Sequence, residues 1–463
     1  MTRVGRALAA AFLLALAVVA PTAAASATFE TPSGTSTFGT EIVFTQAFDS
    51  PIDLARVEIL LEFPDSLGPY VVQVAGPTAA GSRELVYRRS LADDGHIVPN
   101  TAITARWRLV PADRTAAAAV GPPVTVQYAD TRFDWQTMKG DLVRLHWYEG
   151  SDTFGRRALK IADTAVREAA DFLGVTESDP IDFFVYADQA AFYDALGPGT
   201  RENVGGEAHS DIRTMFALIR PGEVADPWVG VVIPHELTHL VFDSAVRNPY
   251  HFPPRWLNEG VATYLSAGLT PADRASVEAA AAAGRLMPLL ALGGQFPTTA
   301  ERFYLAYAES VSAVDYLVRE KGTAALVKLV RSYAEGVSDD EAFSAAIGTD
   351  VAGFEAAWLA DLGAKPPTRH GPQPAPAGPL PPGWASGSTS AAPAAGAGGS
   401  PVPGASPSES AGPEPGAPTD DAGSPLREGW VLIVAALAGL LVGGTLAYVR
   451  RRRARRDVDG AAP

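Results

Sequence analysis

Five consecutive residues of this chain combine two imidazoles with a carboxylate: His235, Glu236, Leu237, Thr238 and His239. On a helix, histidines four residues apart project from the same face about one turn apart, so both imidazoles can reach one ion. Glu236 is rotated off that face but stays beside the ion, where a base that deprotonates water is needed. This H-E-x-x-H spacing is the pattern of zinc hydrolases.

The residues around this pattern predict that its helix is buried. An apolar run from Val229 to Ile233 precedes it, and Leu240, Val241 and Phe242 follow it. Two histidines and a glutamate in a buried helix are costly unless they are paired or coordinated. The alternative, a pair of satisfied core histidines, is disfavoured by a second motif downstream.

That second motif is Trp256-Leu257-Asn258-Glu259-Gly260, in which Glu259 follows His239 by twenty positions. This length allows the first helix to end, the chain to turn near Pro253-Pro254, and a second helix to return with Glu259 facing the metal. Two histidines and one glutamate leave the fourth tetrahedral position to water, which is typical of a catalytic zinc site. We therefore expect one Zn²⁺ per chain, bound by His235, His239 and Glu259.

The two motifs, at 235–243 and 256–264, resemble those of the gluzincin clan of metallopeptidases, and more closely the peptidase MA-like group. The resemblance covers roughly residues 154 to 362. It implies a zincin-like α+β domain with a helical C-terminal lobe that hydrolyses peptide bonds. It also implies that Glu236 takes a proton from water and passes it to the leaving amine.

The resemblance extends to residues around the metal. Tyr307 and Tyr250 are both candidates for stabilising the oxyanion, and the sequence does not choose between them. Asn258 and Asp243 match positions close to the ligands in the thermolysin type. Thr263 stands where that type carries an aspartate, so the hydrogen bond made by that aspartate is not expected here.

Substrate contacts are also implied by the resemblance. A small sheet precedes the zinc helix in gluzincins, and its edge strand pairs with extended substrate, which makes Met215, Phe216 and Ala217 candidates for substrate backbone contacts. Glu207 and His209 lie in a Gly-rich stretch that we interpret as a solvated loop, with a place in the lining of the cleft as the alternative. The exopeptidase signature Gly-x-Met-Glu-Asn of the related aminopeptidases is absent, which favours an endopeptidase.

The composition excludes several other classes of protein. The chain has 463 residues, 47% of them hydrophobic, a formal net charge of −15 and no cysteine. The acidic balance disfavours a nucleic-acid partner. The lack of cysteine excludes disulfides, a thiol nucleophile and a thiolate-bound zinc.

Both ends of the chain predict export and membrane anchoring. Residues 1–27 read as a signal peptide, with an uncleaved anchor as the alternative. Residues 430–449 are free of charge and long enough to span a bilayer, and the arginine-rich tail at 450–463 places that end in the cytoplasm. Residues 366–427, rich in Pro, Ala, Gly and Ser, predict a disordered stalk. The expected localisation is a single-pass cell-membrane protein with an extracellular N-terminal ectodomain.

Two folded domains are expected between these ends. Residues 28–149 contain seven β-rich segments separated by turn residues, which predicts an all-β sandwich-like domain. The seven segments are 41–48, 55–63, 70–74, 85–90, 101–109, 124–128 and 142–148. Residues 150–365 form the predicted zincin domain.

The predicted function is a membrane-anchored extracellular zinc peptidase that acts on peptide or protein substrates. The alternatives are a catalytically silent binding module that retains the zincin fold, and a surface adhesion protein that acts through its β domain. Because zinc binding alone does not require Glu236, its presence argues against the silent module.

Overall fold

The computed structural model describes residues 27–367, with the exception of 65, 77, 198–204 and 249. Nearly all of the predicted signal peptide and stalk, and the whole of the predicted membrane-spanning segment and tail, lie outside these residues. Within the part of the chain that is described, no helix is both long and apolar enough to cross a lipid bilayer.

The N-terminal domain is built from strands in two antiparallel sheets. The strands are β1 (Thr28–Phe29), β2 (Ser33–Thr37), β3 (Glu41–Ser50), β4 (Leu54–Glu62), β5 (Tyr70–Val74), β6 (Gly81–Ser90), β7 (Thr101–Pro111), β8 (Ala119–Val120) and β9 (Val124–Tyr128). The first sheet has the order β1-β3-β2, with β6 also paired to β3. The second has the order β5-β4-β7-β8, with β9 also paired to β7.

Alternating burial shows how the two sheets pack. Every second residue of β3 is buried over most of its length, including Ile42 and Phe44, and the same alternation along β7 buries Ile103 and Trp107. Side chains from both sheets meet in one apolar core. The predicted sandwich-like domain is therefore confirmed, with six of its seven predicted segments in place.

The seventh segment belongs to the second domain. That domain contains a sheet of β10 (Gln136–Lys139), β11 (Val143–Trp147), β12 (Ile181–Tyr186), β13 (Gly206–His209) and β14 (Thr214–Leu218). The strand order is β10-β11-β12-β14-β13, in which β11, β12 and β14 run parallel and both outer strands run antiparallel. The predicted boundary at residue 149 is therefore wrong, because the chain enters this sheet at β10.

The helices surround this sheet and form a C-terminal lobe. They are α1 (Asp152–Leu173), α2 (Gln189–Leu196), α3 (Val229–Val246), α4 (Arg255–Ser266), α5 (Pro271–Ala282), α6 (Ala300–Lys321), α7 (Thr323–Ser332), α8 (Asp339–Ile347) and α9 (Val351–Asp361). The predicted α+β domain with a helical lobe is thus observed.

Helix α1 supports both the sheet and α3. Its buried residues recur every three or four positions, and the helix ends at Gly174, whose φ of 65° suits glycine. A Cβ at Gly155 would lie 2.9 Å from the indole of Trp147, so the glycine lets α1 approach β11 closely. Helix α1 also packs against α3 in the main apolar core.

Side-chain hydrogen bonds join the N-terminal domain to the central strands of the sheet in the second domain. The amide of Asn100, which follows the turn after β6, donates to Asp182 on β12 (3.0 Å) and to Thr214 on β14 (2.8 Å). Arg144 and His146 also donate to Asp182. Burial alone would raise the pKa of Asp182, but these hydrogen bonds hold it well below its ordinary value. The junction therefore contains a buried, fully paired carboxylate.

Candidate metal centre and cleft

Helix α3 positions the first three chemical groups of the site. Its buried residues include Ile233, Leu237, Leu240 and Val241, which anchor it in the core, as the apolar sequence predicts. His235, Glu236 and His239 are half-buried and face a cleft. The Nε2 atoms of the two histidines lie 3.2 Å apart.

Helix α4 brings Glu259 to the same point. A Cβ at Gly260 would lie 2.6 Å from the carbonyl oxygen of Ser310 and 2.8 Å from Val314 on α6. The glycine of the second motif therefore permits a close crossing of α4 and α6, which shortens the distance from Glu259 to the residues of α6 that line the cleft.

The three donor atoms fit a tetrahedral metal ion. Glu259 Oε2 lies 3.4 Å from Nε2 of His235 and 3.4 Å from Nε2 of His239. Zinc held at about 2.0–2.1 Å by tetrahedral ligands separates them by about 3.3–3.4 Å. Oε2 is buried and accepts no hydrogen bond from any described residue. Among the residues that the structure describes, these three form the one group of His, Asp and Glu donors compact enough for a metal ion.

Two neighbours orient these ligands. Nδ1–H of His239 donates to Oδ1 of Asn258 (2.9 Å), which leaves its Nε2 free for the metal. Arg255 donates a hydrogen bond from Nε to the other oxygen of Glu259, Oε1 (3.2 Å), and its Nη2 forms an ion pair with the same oxygen at 3.0 Å. Asn258 therefore occupies the orienting position that the sequence resemblance implies.

The electrostatics of the site link its charged groups. Burial raises the pKa of Glu236, and the carboxylates of Glu259 and Glu207 add to this effect, while the two histidines oppose it. Burial alone would lower the pKa of His239, but the charge of Glu259 outweighs it and raises that pKa to about 9. Burial would raise the pKa of Glu259, but the histidines hold it well below its ordinary value. Opposite charges thus favour the charged forms of His239 and Glu259, whereas burial and neighbouring carboxylates disfavour the charged form of Glu236.

The cleft is lined by polar and apolar residues from five segments of the domain. Its lining is Gly206, Glu207, Ala208, Ser210, His235, Glu236, His239, Phe252, Pro253, Arg255, Asn258, Glu259, Gly293, Gly294, Gln295, Phe303 and Tyr307. Tyr307 is therefore the oxyanion candidate that the fold brings to the metal centre, and its ring centroid lies 6.2 Å from that of His235.

Tyr250, the other oxyanion candidate, does not line the cleft. It is 86% exposed, and its ring lies close to Gly336, which follows α7. The loop after α3 directs Tyr250 outward because Asn248 accepts hydrogen bonds from the backbone N–H groups of Tyr250 and His251. The prediction that placed Tyr250 at the site is wrong in this structure.

Asp243 and Thr263 lie near the site but outside the cleft lining. Asp243 is half-buried one turn beyond His239 on α3, and Thr263 is one turn beyond Glu259 on α4. The hydroxyl of Thr263 is buried and has no hydrogen-bond partner among the described residues. As expected, Thr263 provides no counterpart of the aspartate found in the thermolysin type.

Of the two outer strands of the sheet, β13 is the one that lines the cleft. The prediction that Met215, Phe216 and Ala217 lie on the edge strand is therefore wrong. Those three residues lie on β14, are fully buried, and pair with β12 on one side and β13 on the other. Their backbone is therefore unavailable to substrate. The sequence 206–209, interpreted as a solvated loop, forms β13 instead, and Glu207 and Ala208 line the cleft.

Gly206 connects the edge strand to the zinc helix. A Cβ at this position would lie 2.7 Å from Cγ of Glu236 and 3.1 Å from Val232. Gly206 therefore allows β13 to lie directly against the turn of α3 that carries Glu236. Neither Gly206 nor Arg255 was singled out from the sequence, although Arg255 stands four residues before Glu259 on a predicted helix, a spacing that brings side chains together.

A metal site of two histidines and a glutamate on two neighbouring helices, with a free glutamate between the histidines, defines the gluzincin type of zinc peptidase. The sequence model of the Peptidase MA superfamily matches residues 161–364, so this part of the chain is a peptidase MA superfamily domain. The protein is accordingly a zinc metallopeptidase, as predicted.

Solved structures similar to this chain include an aminopeptidase N family protein from Idiomarina loihiensis, with 10% identity and a TM-score of 0.39, over 69% of this chain and 74% of that one. They also include an M1 zinc metallopeptidase from Deinococcus radiodurans, with 14% identity and a TM-score of 0.31, over 73% of this chain and 92% of that one. Comparison with curated protein sequences finds no significant match.

The convergence of the three donor atoms predicts the effect of removing any one of them. His235→Ala, His239→Ala and Glu259→Ala should each abolish stoichiometric zinc binding, measured by elemental analysis of the dialysed protein. Because zinc that binds only the folded state stabilises it by mass action, added zinc should raise the melting temperature of the wild type but not of the variants.

His251→Ala is the matched control for these variants. His251 lies in the loop between α3 and α4 and contacts Asp339 (3.0 Å) rather than the cleft. This variant should retain its zinc. Stoichiometric zinc in all three ligand variants would show that the metal binds elsewhere.

Proposed function

We propose that the protein is a membrane-anchored extracellular endopeptidase that binds one zinc ion per chain and uses Glu236 as its proton shuttle. The observation that carries this proposal is the convergence of Nε2 of His235, Nε2 of His239 and Oε2 of Glu259 within 3.2–3.4 Å of one another. These three atoms lie in a cleft whose lining also includes Glu236 and the outer strand β13.

Each group around the cleft has a chemical role in this proposal. Zinc bound by the three ligands would supply a Lewis acid that polarises both a water molecule and the scissile carbonyl. Glu236 lies beside the ligands without being one, and its raised pKa makes it a better proton acceptor than an exposed carboxylate. Glu236 removes the proton of the attacking water and delivers it to the amine that leaves.

Tyr307 supplies a hydrogen bond to the oxygen that becomes negatively charged. Burial raises the pKa of its hydroxyl, and the carboxylates of Glu259 and Glu236 add to this effect, so the group keeps its proton and acts as a donor. Phe296 and Phe303 pack edge-on against its ring at centroid distances of 5.3 and 5.1 Å, which restricts its movement. A preorganised donor of this kind stabilises a transition state because it does not have to reorient.

Strand β13 provides the surface on which an extended peptide can bind. It pairs with β14 on one side, and no other described strand pairs with it. A peptide added to such an edge would form main-chain hydrogen bonds along Gly206–His209. Because Gly206 packs on Glu236, the peptide would pass directly over the proton shuttle.

The role of Glu236 predicts a loss of activity without a loss of metal. Glu236→Gln should bind zinc stoichiometrically and melt near the wild-type temperature, while kcat on a cleaved peptide falls by about 10²–10⁴-fold. Tyr307→Phe should lower kcat by about 10²-fold, and Tyr250→Phe, the matched control, should not change it. A zinc-loaded wild-type protein that cleaves nothing in a broad peptide library would instead support the silent binding module.

Aminopeptidase action is a second candidate, and one observation favours it. The carboxylate of Glu207 lies on β13 within the cleft, 3.0 Å from Nε2 of His209, and it is close enough to Glu236 to raise the pKa of that residue. A carboxylate in this place can pair with the ammonium group of a substrate N-terminus. Endopeptidase action is preferred because the exopeptidase signature is absent from this strand.

Peptides that differ at their N-terminus separate these two activities. We expect N-acetylated and free peptides of the same sequence to be cleaved at the same internal bond, with similar kcat/KM, in the wild type and in Glu207→Gln. Mass spectrometry of the products identifies the bond. Release of single N-terminal residues from free peptides alone, and its loss in Glu207→Gln, would establish an aminopeptidase.

The location of the enzyme is proposed from the sequence of its ends. The charge-free residues 430–449 and the arginines that follow them predict an anchored chain with its catalytic domain outside. Protease added to intact cells should release a zinc-binding fragment, and a tag placed after residue 463 should stay protected. Full resistance of the catalytic domain in intact cells, but not in lysed cells, would contradict the orientation.

A further inference from the structure

Arg255, the first residue of α4, contacts the third metal ligand and lies in the same cleft as Tyr307, the candidate oxyanion donor. Its guanidinium contacts Oε1 of Glu259 twice, through a hydrogen bond from Nε (3.2 Å) and an ion pair with Nη2 (3.0 Å), while Oε2 of the same carboxylate faces the two histidines. Arg255 and Tyr307 also pack against the same ring, that of Phe296. We propose that Arg255 is a positioning residue that commits Glu259 to bind zinc through Oε2 alone and that, through Phe296, restrains the ring of Tyr307.

The chemistry of a carboxylate explains why such a residue is needed. A free glutamate can rotate and offer either oxygen, or both, to a metal ion. A charge-assisted hydrogen bond and an ion pair from one planar guanidinium to Oε1 oppose that rotation, because turning the carboxylate would break both. Oε2 is buried without any hydrogen-bond partner among the described residues, which agrees with Oε1 binding Arg255 and Oε2 facing the metal site.

Arg255 is itself held from two sides. The backbone N–H of Arg255 donates to the carbonyl of Gly293 (2.8 Å), and the guanidinium lies over the ring of Phe296 with 5.1 Å to the centroid. Phe296 also packs edge-on against Tyr307. Glu259, Arg255, Phe296 and Tyr307 therefore form a chain of contacts that joins α4, the segment 293–296 and α6.

Two buried carboxylates hold the stretch of chain that leads into the segment 293–296. Glu309 on α6 accepts a hydrogen bond from the backbone N–H of Met287 (3.1 Å), and Glu355 on α9 accepts one from Leu289 (2.8 Å). These contacts fix the start of the segment that ends at Phe296. The guanidinium of Arg255 is thus placed by the fold rather than free to sample solvent.

Zinc affinity of the full chain tests the first half of the proposal, and competition with a chromophoric chelator measures it. Because residues that orient metal ligands typically contribute 10–100-fold to affinity, Arg255→Gln should weaken zinc binding by about that factor. Arg255→Lys keeps the charge but offers Oε1 one nitrogen instead of two. We therefore expect its zinc affinity to remain at least about fivefold weaker than that of the wild type.

Arg319→Gln is the matched control. Arg319 pairs with Asp315, four residues away on α6, at 3.1 Å, and lies over Tyr316 at 5.7 Å to the centroid, but it does not line the cleft. It should keep wild-type zinc affinity while melting at a temperature similar to that of Arg255→Gln. Wild-type affinity in Arg255→Gln, full recovery by Arg255→Lys, or an equal loss in Arg319→Gln would each overturn the proposal. If Arg255→Gln fails to fold, Arg255→Lys decides.

The link to Tyr307 through Phe296 rests on the proposed peptidase function and has its own test. If Arg255 restrains Tyr307 in this way, Arg255→Gln should cost a smaller factor in kcat when Tyr307→Phe is already present, at saturating zinc. Equal factors in both backgrounds would remove Tyr307 from the proposal. A chain that binds zinc but cleaves no peptide would contradict the proposed function, whereas the affinity measurements on Arg255 would still stand.

Discussion

The site depends on one electrostatic requirement: a buried carboxylate oxygen and two imidazole nitrogens face one another with no protein donor between them. Oε2 of Glu259 is buried and lies 3.4 Å from both Nε2 atoms, which is longer than an ordinary hydrogen bond. A buried negative charge is costly unless a positive charge compensates it. Arg255 compensates this carboxylate at Oε1, and a divalent cation between the three atoms would compensate it at Oε2 and accept a lone pair from each of them. The rest of the domain can be understood as the framework that keeps these three atoms together.

Two glycines make this framework compact enough. Gly260 lets α4 and α6 cross so closely that any Cβ would contact the backbone of Ser310, and Gly206 lets β13 lie on Glu236. The first contact brings Tyr307 towards Glu259, and the second brings the edge strand towards Glu236. The metal ligands, Glu236, Tyr307 and the edge strand therefore meet because side chains are missing at two points. Alanine at either position would push apart groups that the proposed mechanism uses on the same bond.

The parts of the site that are local in sequence were predictable, and the parts that depend on topology were not. His235, Glu236 and His239 follow from helical spacing, and Glu259 with Asn258 follows from a second motif on the next helix. The edge strand was misplaced because β14, although later in the chain than β13, inserts next to β12, which leaves the earlier strand β13 outside. Tyr250 was misplaced because distance along a loop carries no information about direction, and Asn248 turns that loop away from the cleft. The domain boundary was misplaced for a related reason, since β11 has the composition of the preceding strands but pairs with β12.

The junction between the domains gives the β-sandwich a structural connection to the cleft. Asn100 bridges Asp182 on β12 and Thr214 on β14, and its φ of 69° is a conformation that asparagine tolerates better than most residues. Thr214 is also the residue opposite His209 in the pairing of β14 with β13. The sandwich therefore holds the strand that supports the substrate edge, two residues from the position that pairs with Glu207. Because Asp182 is buried and receives hydrogen bonds from Arg144, His146 and Asn100, losing Asn100 would leave part of a buried charge unpaired in the centre of the sheet. Asn100 thus ties the sandwich to β12 and β14, the central strands of the second domain's sheet, and through the pairing of β14 with β13 this contact reaches the strand that lines the cleft.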